Sequence, residues 1–311
     1  MRAAAPALVL ALALSGCAEE LLVPDDAPTA EGDAAVPLVP LPSERRVAAP
    51  SETAAAADPD SGIDLADPEL DLFDGAGAVL VLIQDQTGET LLLVDGSGVV
   101  RAQPVHLPSH PARFILADGA DVYVVGSTEY LDVASGLVRP WPEWSVGTGV
   151  SSPGQATVVD EFETTVIDLP SGAVLSATYD ETYCWRGTGY SATGALFGFD
   201  MDWGEVRSLD PATFGQFVAR IGGLGPPKFA IDADGTVWTA VGDRLRFDIE
   251  DTRRLASDIL EVAPFGDTVA LLMEGTEELP ARLSVFVGEE EVVLVDFPGA
   301  VALDVEPLFL Y

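Results

Sequence analysis

Two histidines are the whole imidazole supply of this 311-residue chain. His106 and His110 stand four apart, a spacing that would put both on one face of a helix as metal ligands. Pro104, Pro108 and Pro111 surround them, and proline removes the backbone donors a helix needs. The pair therefore reads as loop residues, and hydrolytic triads and zinc sites have almost no material to draw on. Gly187-Thr188-Gly189-Tyr190-Ser191-Ala192 matches the loosest dinucleotide-binding string. No strand-turn-helix unit frames it, so the backbone cradle for a pyrophosphate is missing. Asp232 and Asp234, followed by Gly235, are the candidate calcium ligands. A hairpin turn explains the same three residues without an ion. No cofactor is expected, and calcium is the one the sequence leaves open.

Of the two cysteines, Cys184 lies between Tyr183 and Trp185 and reads as a small buried hydrophobe. Cys17 is different. It ends an apolar run from Ala3 to Leu14 that follows Arg2 and is too short to span a bilayer. The sequence Leu14-Ser15-Gly16-Cys17 resembles the lipobox of bacterial lipoproteins. That resemblance implies a signal peptide over residues 1–16, cleavage before Cys17, and acyl chains on its thiol and new amino terminus. Several chains anchor far more firmly than one, at about 0.8 kcal/mol per buried methylene. An Asp after the cysteine would favour the inner membrane. Ala18 stands there, so the resemblance implies the outer membrane, with the periplasmic and surface leaflets both open.

Residues 17–75 read as a lipidated cysteine followed by a disordered linker. Positions 18–75 hold 8 prolines, 12 alanines and 15 acids. Such a segment buries too little apolar surface to offset its ordering entropy, and like charges keep it extended. Its Asp58-Pro59-Asp60-Ser61-Gly62-Ile63-Asp64 stretch lacks the spacing of an EF-hand loop. The whole chain carries 51 acids against 15 bases, for a net charge of −36. That balance excludes nucleic acid as a partner, because phosphate contacts need Lys and Arg.

Residues 76–311 change to short β-branched runs split by Gly, Asp and Pro, including Ala78 to Ile83, Val122 to Val125, Thr164 to Ile167, Val237 to Val241 and Val269 to Met273. The period predicts an all-β domain. An apolar-Asp turn recurs at Asp95, Asp132, Asp168, Asp210 and Asp248, which lie 37, 36, 42 and 38 residues apart. A further turn without Asp sits near Val287-Gly288-Glu289-Glu290. The aspartate accepts a backbone N–H a few residues on, so its first role is structural. Six turns near a forty-residue period predict a β-propeller of about six four-stranded blades. Seven blades stay open because the borders between Pro142 and Gln155 are ambiguous, and a β-sandwich would leave the period unexplained. The segment Glu306 to Tyr311 is expected to pair beside Ala78 to Ile83 and close the ring. The turns resemble those of quinoprotein-dehydrogenase-like propellers, most clearly from Asp121 to Trp141. The resemblance implies the fold and no quinone site.

Aromatic residues crowd the middle of the domain. Trp141, Trp144, Tyr183, Trp185, Tyr190 and Trp203 form the candidate ligand-binding patch, with core packing between blades as the competing role. The sequence thus predicts a membrane-tethered, non-catalytic interaction module whose partner is another envelope protein, a peptide or a glycan. An enzyme, a lyase or hydrolase using carboxylates or bound calcium on the propeller face, is the alternative. A surface spacer is the third reading.

Overall fold

The computed structural model describes residue 63 and residues 77–309, apart from 109, 142–145, 222–226, 248–251 and 288–289. All of them fall in the compact unit Ala49–Tyr311. Among the described residues the regular structure is entirely β, in six four-stranded antiparallel sheets.

Blade 1 contains β1 (Ala78–Asp85), β2 (Gly88–Asp95) and β3 (Gly98–Val105). Blade 2 is β4 (Phe114–Asp118), β5 (Asp121–Val125), β6 (Glu129–Asp132) and β7 (Leu137–Pro140). Blade 3 is β8 (Gly147–Ser152), β9 (Gln155–Asp160), β10 (Glu163–Asp168) and β11 (Ala173–Tyr179). Blade 4 is β12 (Trp185–Tyr190), β13 (Leu196–Asp200), β14 (Glu205–Ser208) and β15 (Phe217–Arg220). Blade 5 is β16 (Lys228–Ile231), β17 (Val237–Val241), β18 (Arg244–Phe247) and β19 (Thr252–Arg254). Blade 6 is β20 (Ile259–Phe265), β21 (Thr268–Met273), β22 (Ala281–Val287) and β23 (Glu290–Phe297). The last strand, β24 (Val301–Pro307), returns to blade 1 and pairs with β1 from Val79↔Pro307 to Gln84↔Val301. The sheet order there is β24-β1-β2-β3.

Closure by the chain's own tail is as expected, but the closing strand lies earlier than Glu306 to Tyr311. Pro307 has no N–H to donate, and a proline belongs at a strand end. Just beyond it Leu308 N–H reaches the sheet, on Ala78 O at 3.2 Å. The inner strands β24, β4, β8, β12, β16 and β20 each neighbour the next around the ring. The described residues form six blades, and the ambiguous border falls within one of them, where Gly147–Ser152 and Gln155–Asp160 are neighbouring strands of blade 3.

Asp95, Asp132, Asp168 and Asp210 sit at one place, the hairpin joining the third and fourth strands of a blade. Asp95 accepts Ser97 N–H at 2.7 Å, and Asp132 accepts Ser135 N–H at 3.1 Å. Asp168 and Asp210 do the same for Ser171 and Ala212. Gly136 and Gly172 follow with positive φ, as such turns require. Asp248 lies outside the described residues.

Each seam between blades has its own apolar cluster. Leu80, Leu82, Leu91 and Leu93 of blade 1 meet Ile115, Val122 and Val124 of blade 2, and the other five seams repeat the scheme. Middle strands are covered by a neighbour on each face. This explains why β1 and β2 are near-continuous Leu and Val rather than alternating. At about 1.5 to 3 kcal/mol per fully buried side chain, these seams hold the ring together.

Ile63 joins the seam between blades 1 and 2, buried to 7% exposure, and its N–H donates to Gln103 Oε1 at 2.7 Å. The chain therefore meets the propeller before residue 75, where the extended linker was expected to end. The signal segment, Cys17 and the rest of the linker lie outside the described residues.

Candidate functional site

The ionisable side chains that converge are on the axis. Asp304 and Glu306, two apart on β24, share one side of an extended strand. Asp304 Oδ2 accepts the N–H of Ile115 at 2.7 Å, and Glu306 Oε1 accepts that of Ala117 at 3.4 Å, both on β4. Tyr190, the last residue of β12, donates its phenol to Glu306 Oε1 at 2.8 Å and accepts Val150 N–H from β8 at 2.6 Å. Gly149 makes that approach feasible, because a Cβ there would stand 2.8 Å from the phenol oxygen. Lys228 on β16, the sole lysine, sets its ammonium 2.6 Å from Glu261 Oε2 on β20. All six inner strands thus contribute a side chain or a backbone donor to one polar set.

Electrostatics follow from the placement. Burial pushes the Asp304 carboxyl up to about 7, and the Glu261 charge adds to this, while Ile115 N–H and Lys228 pull it back. Burial, then the Asp304 charge, raises Glu306 well above the usual carboxylate range. Burial and the Glu306 charge raise the Tyr190 phenol. Lys228 is raised chiefly by Glu261, and its side chain is half exposed. The set can therefore hold and exchange a proton near neutrality in a region water still reaches at Lys228.

The aromatic residues named from sequence do not come together as one exposed patch. Trp141 is buried between blades 2 and 3, edge-on to Phe114 and Tyr130. Trp185 and Tyr190 are buried between blades 3 and 4. Tyr183 is half-buried against Trp185 and Phe214, with Arg207 5.5 Å above its ring. Trp203 alone is exposed, on the turn after β13. Trp144 lies outside the described residues. The reason is architectural: inner and middle strands are covered on both faces, so large rings placed there fill seams.

The remaining candidates sort simply. Asp232 Oδ1 accepts Asp234 N–H and Thr236 N–H at 3.0 and 2.9 Å, and Oδ2 accepts Trp238 Nε1–H at 2.7 Å. Its carboxylate closes a hairpin and holds the indole, while Asp234 contributes its backbone. Among the described residues no three His, Cys, Asp or Glu side chains are grouped to hold a metal. His106 and His110 are exposed on the loop after β3. The Gly187 to Ala192 string runs along β12 and just past it, as inner-strand backbone. Cys184 is fully buried.

A second feature lies on the rim. The outer strands of three successive blades expose large apolar side chains: Leu137 and Val138 on β7, Val174, Leu175 and Tyr179 on β11, Phe217 and Val218 on β15. All seven residues of β11 are exposed. Sequence reasoning passed over these strands because their apolar residues look like core. It also passed over Lys228, Glu261, Asp304 and Glu306, whose one signal is a charge set inside an otherwise apolar strand.

No protein-family model matches the chain, and no curated protein matches it. Solved structures do. A chain of the nidogen/laminin complex superposes with a TM-score of 0.54 at 12% identity, covering 75% of this chain and 99% of that one. A protein of unknown function from Bacteroides caccae gives 0.48 at 14% identity, with the same coverage. Virginiamycin B lyase from Staphylococcus aureus gives 0.44 at 7%, covering 73% and 86%. The likeness is one of fold alone.

Proposed function

We propose that the chain is a lipid-anchored binding propeller of the cell envelope, and that it docks a protein partner on the rim of blades 2 to 4. The observation that carries this reading is the run of exposed apolar side chains over β7, β11 and β15. Large apolar side chains exposed along one strand, as Val174, Leu175 and Tyr179 are on β11, are costly in water and mark interaction sites. In a chain of net charge −36, apolar rim strands stand out further. Each outer strand also has one free edge, onto which a partner's strand can add. The anchor is Cys17, from its position after the apolar run, and the acidic segment behind it is the tether. Outer-membrane placement follows from Ala18.

Photo-crosslinking from position 173, exposed on the same strand, in intact membranes, with and without Leu175→Glu plus Phe217→Glu, tests the docking. A discrete adduct that the double variant abolishes supports it. Equal labelling with the double variant defeats it. Cys17→Ser tests the anchor separately, with release from the membrane fraction expected.

One observation favours a second reading. Asp304 titrating at about 7 beside Glu306 is the pairing that proton-transfer chemistry uses. Turnover of a substrate by the purified chain, lost in Asp304→Asn, would support a carboxylate-based enzyme instead.

A further inference from the structure

We propose that Asp304 and Glu306 form a proton-dependent clasp that fastens the closing strand of the ring, so that blade 1 loosens when they ionise. The inference is independent of the proposed function, since it concerns only how the ring stays shut.

Geometry makes the clasp specific to β24. This strand is added to blade 1 from the far end of the chain, so every ladder bond in β24–β1 links the two ends of the domain. A propeller can open most readily at that joint, where no turn holds the strands together. On its other side, β24 is tied to blade 2 by the two carboxyl groups, on Ile115 N–H and Ala117 N–H. Glu306 is tied as well to blade 4 through Tyr190. The clasp therefore acts on the one strand whose departure opens the circle.

The charges around it set the sign. Facing these carboxyls are Glu261 from β20, Lys228 from β16 and Tyr190 from β12, besides each other on β24. From β4 come only the backbone donors of Ile115 and Ala117, and from β8 that of Val150 reaches Tyr190. The paired strand β1 offers Val79 to Ile83, all apolar. Lys228 is already engaged by Glu261. A second and a third carboxylate charge on the axis would thus meet one cation shared among three acids. Protonated, the same two carboxyls still accept from the backbone and carry no net charge.

Because the folded Asp304 holds its proton up to about 7 from an ordinary 3.8, the folded ring binds more protons than the unfolded chain between those values. The stability that Asp304 contributes is lost as pH rises through that window. A pKa gap of one unit is a tenfold change in the folding equilibrium.

Native-state hydrogen exchange on the full-length chain at pH 5.5 and 8, corrected for intrinsic rates, tests the clasp. The amides of Val79–Leu82 and Val301–Val305 should open at least about tenfold more at pH 8, relative to amides of β13 and β14 in blade 4. Asp304→Asn and Glu306→Gln each keep one acceptor oxygen and remove one of the two charges, so each should shrink the excess opening of blade 1, and the double variant should abolish it. Blade 1 and blade 4 responding equally to pH in the wild type would overturn the proposal, even if neither variant folds. So would an undiminished blade 1 response in both variants.

Discussion

The phenol of Tyr190, on blade 4, and the carboxyl of Glu306, on the strand that closes blade 1, meet at 2.8 Å across the axis of a six-bladed ring. These blades lie opposite each other, and the residues are 116 positions apart. Phe309 packs on the same tyrosine ring, 5.6 Å between centroids. A single side chain thus ties together the middle and the end of the domain. Tyr190→Phe keeps the ring and removes the hydroxyl, leaving Val150 N–H without its acceptor and Glu306 Oε1 with the longer bond from Ala117 N–H. The expected cost is about 1 to 3 kcal/mol, since a buried donor is left unsatisfied. Urea unfolding at pH 6 measures it, and a midpoint equal to wild type would show that the bond contributes nothing.

Ile63 makes the second case. Its side chain fills part of the seam between blades 1 and 2, and its N–H is held by Gln103. Ile63→Ala should destabilise the propeller by about 2 kcal/mol or more, through lost transfer energy and the cavity left behind. A chain starting at residue 60 should then unfold at higher urea than one starting at residue 70. Equal midpoints for the two would show that the docking contributes nothing to stability.

Legibility of the fold from sequence depended on the turns. Asp95, Asp132, Asp168 and Asp210 carry local hydrogen bonds that any chain with that turn must make, so their spacing reported the blade period directly. The closing strand was legible in kind and shifted in place, because strand composition runs on through Leu308 and Phe309 while pairing stops at Pro307. The aromatic residues left core packing and a binding patch both open for a different reason. Nothing local distinguishes Trp185, wedged between blades, from Trp203, exposed on a turn; only the stacking of neighbouring blades does. Likewise the axial set draws on β12, β16, β20 and β24, whose convergence exists only once the ring is shut. Asp304 and Lys228 are 76 positions apart and carry no shared motif.

Close approach of inner strands can be tested at Gly189. A Cβ at this residue would fall on the carbonyl oxygen of Phe229 and 2.9 Å from two of its ring carbons. Backbone cannot yield as a flexible side chain can, and adjacent blades fix both strands. Gly189→Ala should cost about 3 kcal/mol, at the upper end of overpacking penalties. Gly136→Ala is the control for a positive φ with open space around it, and its cost should be smaller, about 1 kcal/mol. A smaller loss at Gly189 than at Gly136, measured by thermal unfolding, would contradict the packing of β12 on β16.

Lys228 offers a test of axial electrostatics that leaves the carboxyls in place. Its ammonium pairs with Glu261 and lowers the cost of ionising Asp304. Lys228→Met keeps the length of the side chain and removes the charge. Its own proton does not matter here, because a lysine raised above 10.5 stays charged through neutrality in folded and unfolded chains alike. What changes is its neighbours: without the cation, Glu261 and Asp304 repel each other whenever both are ionised. The half-exposed pair itself is worth little, about 1 kcal/mol or less. The variant should therefore match wild type closely at pH 5, where Asp304 is protonated, and fall below it at pH 8. Urea midpoints at the two values decide, and a loss at pH 5 equal to that at pH 8 would mean that Lys228 acts only through packing of its aliphatic stem.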